Sequence, residues 1–74
     1  NKGTNYAQKQ KYNLAIEQFN FCISADTLDI DSYYNRAFCY YKLNMVKEAC
    51  LDWEYLMKLE QSAATKIFQE NCNK

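Results

Sequence analysis

The stretch "YYNRAFCYYKLNMVKEACLDW", Tyr33–Trp53, carries the pattern that decides the fold. A small residue, Ala37, lies in its first half, and a second one, Ala49, precedes Trp53 by four positions. Spacings of three and four residues put side chains on one face of a helix. Asn44 lies between the halves, and asparagine tolerates the left-handed conformation that often ends a helix. The stretch therefore predicts two helices joined by a turn at Asn44.

The same landmarks occur earlier in the chain. Several equivalent positions at a single offset indicate a structural unit used twice. Within each unit, two small residues let the helices approach closely, and a large ring fills the space between them. This predicts an all-α fold built from helix–turn–helix repeats. Four pairs are separated by 34 residues: Gly3 and Ala37, Tyr6 and Tyr40, Ala15 and Ala49, and Phe19 and Trp53.

This pattern resembles the tetratricopeptide repeat (TPR), which reads W-x2-L-G-x2-Y, then A-x3-F, then P. In the second unit Tyr33 stands for the Trp, and Arg36 replaces the Leu. Thr27 and Gln61 replace the closing Pro, so the helix ends must be set in another way. The first unit begins near Gly3, and we expect part of its first helix to be missing. The resemblance implies an α-solenoid fragment that acts as a binding scaffold.

The expected layout is one domain over 1–74, with repeat one at 1–28, repeat two at 29–61 and a capping helix at 62–74. Asp29 or Asp31 is available to cap the third helix. The last segment lacks the repeat landmarks, so we interpret it as the cap of the stack. Its apolar residues have the spacing of one helix face: Ala63, Ala64, Ile67 and Phe68. The first helix is expected to run to about residue 9, and the others at about 12–25, 30–43, 46–59 and 63–72.

The resemblance also implies a binding surface, since the first helix of each repeat lines the concave side of such a stack. Tyr33 and Tyr40 are expected in the core, and the other three of the five rings between Tyr33 and Asn44 are candidates for contact with a ligand. The alternative is that all five rings pack inside a small aromatic-rich domain. The peptide-binding candidates are Asp31, Tyr34, Asn35, Phe38, Tyr41 and Lys42, and their counterparts in the first unit are Thr4, Ala7 and Gln8.

Asn35 suggests a narrower hypothesis. Some TPR domains bind the C-terminal carboxylate of heat-shock chaperones through five clamp residues, and Asn35 matches one of them. Thr4 stands where another Asn is expected, and Thr65 and Gln69 stand where cations are expected. A carboxylate needs paired cationic donors. The sequence therefore gives this hypothesis little support.

The four cysteines raise a separate question, because no C-x-x-C pair and no histidine accompany them. Cys50 and Cys72 are equidistant from residue 61, so a hairpin folded there brings them level. "ACLDWEYLMKLE…C" also looks like the end of some bacterial repeat proteins with a late Cys. A disulfide here would staple the capping helix, whereas reduced thiols would be buried core residues. Cys39 also faces Cys50 across the Asn44 turn, so that pairing stays open, and Cys22 is expected in the core.

Composition excludes several functions. Net charge is zero and the charges alternate, so no nucleic-acid surface is indicated. The absence of histidine and the single glycine argue against an enzyme, a metal site or a cofactor site. We expect a protein or peptide partner and no membrane insertion. The alternative is a structural cap at the C-terminal end of a longer repeat protein, self-associating through an exposed seam. The compartment, cytoplasmic or periplasmic, stays open.

Overall fold

The computed structural model describes residues 2–26 and 28–72, and within these the chain is all-α. Each helix packs chiefly against the next one along the chain. The expected all-α fold is confirmed. Each predicted helix boundary in the described residues lies within two residues of its observed position. Thr27 lies outside the described residues. The helices are α1 (Lys2–Gln8), α2 (Tyr12–Ala25), α3 (Ile30–Lys42), α4 (Val46–Lys58) and α5 (Ser62–Asn71).

Three of the connecting turns share one geometry. Gln10, Asn44 and Glu60 all have a left-handed backbone, with φ of 62°, 63° and 63°. After α3, the Met45 N–H donates to the Tyr40 carbonyl at 2.8 Å. The Asn44 N–H donates to the Tyr41 carbonyl at 3.0 Å, and this pair of bonds is the Schellman motif. The predicted turn at Asn44 is confirmed.

The turn after α4 explains why proline is absent there. Gln61 takes the position equivalent to Met45, and its backbone N–H donates to the Leu56 carbonyl at 3.1 Å. A proline at this position has no N–H to donate. The chain therefore ends α4 with a backbone hydrogen bond instead of with a proline.

Asp29 begins α3. Its carboxylate accepts from the Ser32 backbone N–H at 3.2 Å and from the Ser32 hydroxyl at 2.8 Å. These bonds satisfy a donor that the first helical turn leaves unpaired. Of the two predicted caps, Asp29 is the one used, and Asp31 lies exposed in the first turn of the helix.

The repeat landmarks form the core as predicted. A Cβ added to Gly3 would lie 2.6 Å from the buried Phe19 ring, so a larger residue between α1 and α2 would force this ring to shift. Ala37 and Ala49 are fully buried beside Trp53. Buried residues form two clusters, one between α1, α2 and α3 and one between α3, α4 and α5. Tyr40 packs against both clusters and joins the two repeats.

Arg36 departs from the repeat pattern, and the fold supplies the reason. Its guanidinium forms a bidentate pair with the buried Asp52, through Nε at 2.9 Å and Nη2 at 2.5 Å. Its Nη1 donates to Asn20 Oδ1 at 2.8 Å. The rings of Tyr33 and Tyr40 lie 5.4 and 5.9 Å from its Cζ. One side chain thus links α2, α3 and α4, and the hydrogen bond to Asp52 raises the pKa of Arg36.

None of the helices in the described ranges is long and apolar enough to cross a membrane.

Candidate functional site

One pocket of about 500 Å³ opens between α3, α4 and α5. Its size is within the range of pockets that hold small ligands or single side chains. Helix α3 contributes most of the wall, α4 contributes Trp53, and α5 contributes Ile67 and Asn71. The residues that α3 contributes are Tyr34, Asn35, Phe38, Tyr41 and Lys42.

The rings of the pocket are only partly covered. Phe38 is 48% exposed and Tyr41 is 43% exposed, whereas Trp53 is 5% exposed at the base. The centroids of the Tyr41 and Trp53 rings are 6.1 Å apart. The edge of Phe38 meets Tyr12 of α2, with centroids 6.4 Å apart. The rings therefore form an apolar surface that keeps a face open to solvent, which contradicts the alternative that all five are core.

Polar groups surround these rings. Asn35 lies exposed on α3, and the Asn71 amide on α5 donates to its own helix at the Ile67 carbonyl, at 2.9 Å. Lys42 Nζ lies 5.4 Å from the Phe38 ring centroid, within cation–π range. Among the described residues that line the pocket, Lys42 alone is charged. The site offers amide groups and one cation around an apolar floor.

Five of the six candidates named from the sequence line this pocket. The exception is Asp31, which is exposed on α3 and does not line it. The first-unit counterparts do not line it either: Thr4 and Ala7 are half-buried, and Gln8 is exposed. Ala7 instead packs against the cluster between α1, α2 and α3.

Sequence reasoning missed three pocket residues. Trp53 was assigned to the core, and it is both a core residue and the floor of the pocket. Ile67 and Asn71 are four residues apart on α5, so they share a helix face. That spacing could have indicated from the sequence that one face of α5 lines the pocket. In the same segment, Ala64 is buried but Ala63 is exposed, so the expected apolar face is narrower than the sequence indicated.

The clamp positions give no second cation. Thr65 is half-buried and Gln69 is exposed, and neither lines the pocket beside Asn35. A carboxylate bound in the pocket would therefore find one cation, Lys42, among the described lining residues, and not a pair.

The cysteines divide into a bonded pair and two free thiols. The sulfur atoms of Cys50 on α4 and Cys72 after α5 are 2.08 Å apart, with Cα atoms 5.9 Å apart. Cys39 is fully buried and unbonded, so the alternative pairing of Cys39 with Cys50 is wrong. Cys22 is only half-buried and does not belong to either core cluster, which corrects its expected core position.

The all-helical fold is that of a TPR-like helical repeat, a type of protein-binding scaffold. Comparison with known proteins agrees, because the relatives it finds are TPR-containing proteins. Hsp70-Hsp90 organizing protein 3 of Arabidopsis thaliana is 34% identical over 61 residues, which covers 82% of this chain and 11% of that protein. The Hsp70-Hsp90 organizing protein of Triticum aestivum is 37% identical over 59 residues, 80% of this chain and 10% of that protein.

A third relative has a different name. Sperm-associated antigen 1 of Mus musculus is 32% identical over 59 residues, covering 80% of this chain and 6% of that protein. The chain thus spans about a tenth or less of the length of these relatives. No family model matches the chain. No solved structure matches it either.

Proposed function

We propose that this chain is a non-catalytic module that binds a peptide segment of a protein partner in the pocket between α3, α4 and α5. The observation that carries the proposal is the open aromatic surface formed by Tyr34, Phe38 and Tyr41 over Trp53. Partly exposed rings on a concave surface are the usual energetic anchors of protein recognition. A lining made mostly of rings and amides favours binding over chemistry.

The lining suggests how the segment would be held. An apolar side chain of the peptide would rest on Trp53 and remove water from the rings, which stabilises the complex in proportion to the apolar area buried. The amides of Asn35 and Asn71 lie on opposite helices and can pair with backbone N–H and C=O groups of an extended chain. Lys42 favours an acidic group at one end of the segment.

The test is selection from a random peptide library displayed on phage, with the protein immobilised. Selected peptides are synthesised, and their affinities are measured by isothermal titration calorimetry. The double variant Tyr34→Ala/Phe38→Ala is expected to lose at least about tenfold in affinity, since it removes two anchors. Circular dichroism checks that both proteins keep their helices.

Phe21→Ala is the matched control. Phe21 is 73% exposed on α2 and does not line the pocket, so its removal deletes an exposed ring elsewhere. The control should bind like the unaltered protein. Equal affinities of the double variant and the unaltered protein, with helices intact, would refute the proposed site.

A second candidate is binding of a C-terminal carboxylate, as in the chaperone-tail clamp. Asn35 beside Lys42 and the similarity to two Hsp70-Hsp90 organizing proteins favour it, whereas Thr65 and Gln69 oppose it. Each selected peptide can be compared with a free and with an amidated C terminus. Tail binding requires the amidated form to bind far more weakly, and binding of an internal segment requires equal affinity.

We also propose that α5 caps the stack, with the repeats divided as 1–28 and 29–61. A cap covers the apolar face of the unit before it, and α5 does this through Ala64 and the half-buried Ile67 and Phe68. Sedimentation velocity at several concentrations tests the related hypothesis of self-association. A monomer at all concentrations would leave only the capping role.

A further inference from the structure

Helix α5 is both a wall of the pocket and one end of a disulfide. It supplies Ile67 and Asn71 to the lining, and Cys72 follows directly at its C-terminal end. The partner sulfur belongs to Cys50, which lies on α4 three residues before the pocket floor at Trp53. The bond therefore joins the outer wall of the pocket to the helix that carries its floor.

Packing alone holds α5 weakly. Ala64 is its one fully buried residue in the described part of the chain, and an alanine side chain buries little apolar area. Ile67 and Phe68 are half-buried, and the two salt bridges among the described residues lie elsewhere. An isolated helix of ten residues is marginal in water. The wall thus depends on the covalent link more than the other helices do.

We infer that the redox state of Cys50 and Cys72 controls the pocket, with the disulfide holding α5 in place and its reduction releasing that wall. The inference rests on the proposed function, because it concerns the same site. Both cysteines are half-buried, whereas a core thiol would be fully enclosed. Cys39 is fully enclosed and stays out of the exchange.

A dithiol can reduce the Cys50–Cys72 bond by thiol–disulfide exchange. A thiolate of the dithiol attacks one protein sulfur, which breaks the Cys50–Cys72 bond and forms a mixed disulfide. The second thiol of the reductant then closes its own disulfide and releases the protein's second thiol. Two electrons pass from the dithiol to the protein, and both cysteines become thiols. A small-molecule disulfide reverses the change and is itself reduced to two thiols.

The first readout needs no ligand. Trp53 is the chain's single tryptophan, and in the oxidised protein it is 5% exposed. Treatment with dithiothreitol is expected to increase acrylamide quenching of its fluorescence and to speed amide hydrogen exchange across α5. Exchange in α2 should stay slow, since the cluster between α1, α2 and α3 does not contain the disulfide.

The second readout is the affinity of a peptide selected as described above. Apparent affinity falls in proportion to the share of molecules with the wall in place, so a share of about one tenth gives a tenfold loss. Cys22→Ser should respond to dithiothreitol like the unaltered protein, because Cys22 is one of the two free thiols. The variant Cys50→Ser/Cys72→Ser should show weak binding and fast α5 exchange with or without reductant.

Several results would overturn the inference. Denatured protein prepared without reductant should contain two free thiols, and four after air oxidation would mean that the bond does not form. Unchanged quenching and exchange after complete reduction would mean that α5 stays docked without the bond. Unchanged peptide affinity despite a released α5 would mean that the pocket does not need this wall. Failure of the proposed function gives a different result. In that case no peptide would bind, whereas reduction could still increase the quenching of Trp53 fluorescence.

Discussion

Helix α4 has two neighbours, and they are held in different ways. Toward α3 it presents Trp53, Ala49 and Asp52, which meet fully buried residues and the Arg36 guanidinium. Toward α5 it meets one fully buried residue, Ala64, the half-buried Ile67 and Phe68, and the sulfur of Cys72. The first junction is a dense noncovalent interface between the two helices of one helix–turn–helix unit. The second is a thin interface completed by a covalent bond, so it is the one that solution conditions can open.

The largest expected loss of stability comes from a variant that disrupts the first junction, between α3 and α4. Arg36→Met leaves Asp52 charged, buried and without its partner, and removing one member of a buried pair costs about 3–5 kcal/mol of unfolding free energy. A domain of this size has little more stability than that to lose. Urea unfolding followed by circular dichroism measures the change.

Two further variants show whether the loss comes from the orphaned carboxylate. Arg36→Leu/Asp52→Leu restores the repeat pattern's leucine at position 36 and removes the charge, and it should recover most of the stability. Lys58→Met removes an exposed cation that lies 3.9 Å from Glu54, and it should change stability by less than about 1 kcal/mol. A loss as large for Lys58→Met as for Arg36→Met would contradict the explanation.

The next largest loss of stability comes from removing the disulfide at the second junction, between α4 and α5. The disulfide closes a loop with a sequence separation of 22 residues, so Cys50→Ser/Cys72→Ser should lower the free energy of unfolding by about 3 kcal/mol. Under reducing conditions the difference between variant and unaltered protein should nearly vanish. Urea unfolding with and without dithiothreitol measures both. A difference that persists after reduction would mean that cysteine packing, not the bond, stabilises this end.

A smaller effect, a gain in stability, is expected from a change in the turn at the same junction. Glu60 has φ of 63° in the turn between α4 and α5, and a left-handed conformation costs a residue other than glycine about 1–2 kcal/mol. Glu60→Gly removes that strain at some cost in chain entropy, so a gain of up to about 1 kcal/mol is expected. Asn44→Gly in the turn between α3 and α4 should gain less, because asparagine tolerates this conformation. A rise in Tm that is larger for Glu60→Gly supports the account.

The smallest effect concerns pH and involves Tyr33 at the first junction and Cys39 in the cluster between α1, α2 and α3. Burial raises the pKa of the Cys39 thiol and, together with the neighbouring Tyr55, that of the Tyr33 phenol. Both groups bind their protons more tightly when folded, so their contribution is intact at neutral pH and is lost as pH rises above about 8.5, the ordinary pKa of a thiol. The urea midpoint should fall between pH 8 and pH 10. Cys39→Ala should flatten the early part of that decline, and an unchanged slope would contradict this assignment.

The fold followed from local patterns. Five helices and the turn between α3 and α4 could be predicted from the sequence. The signals were helix periodicity, the offset between Gly3 and Ala37, and the asparagine at position 44. The sequence did not indicate left-handed turns at Gln10 and Glu60, because neither residue type favours that conformation. There, backbone hydrogen bonds and the packing of flanking helices override the preference of the residue.

The site was only half predictable. Tyr34, Phe38 and Tyr41 share a face of α3, so periodicity was enough to group them. Ile67 and Asn71 come from a helix that lacks the repeat landmarks, and only packing against α4 brings them to the same pocket. Whether a ring is open or covered likewise depends on neighbours distant in sequence.

The sequence alone determined the helices, the two-fold repeat and the small residues that let the helices approach, because these depend on spacings within a few turns. Tertiary structure decided that Arg36 pairs with Asp52, that Trp53 is both core and pocket floor, and that α5 closes the pocket beside the Cys50–Cys72 bond. Those features join residues from different helices. Their distances depend on how all the helices pack at once, and no local spacing specifies that.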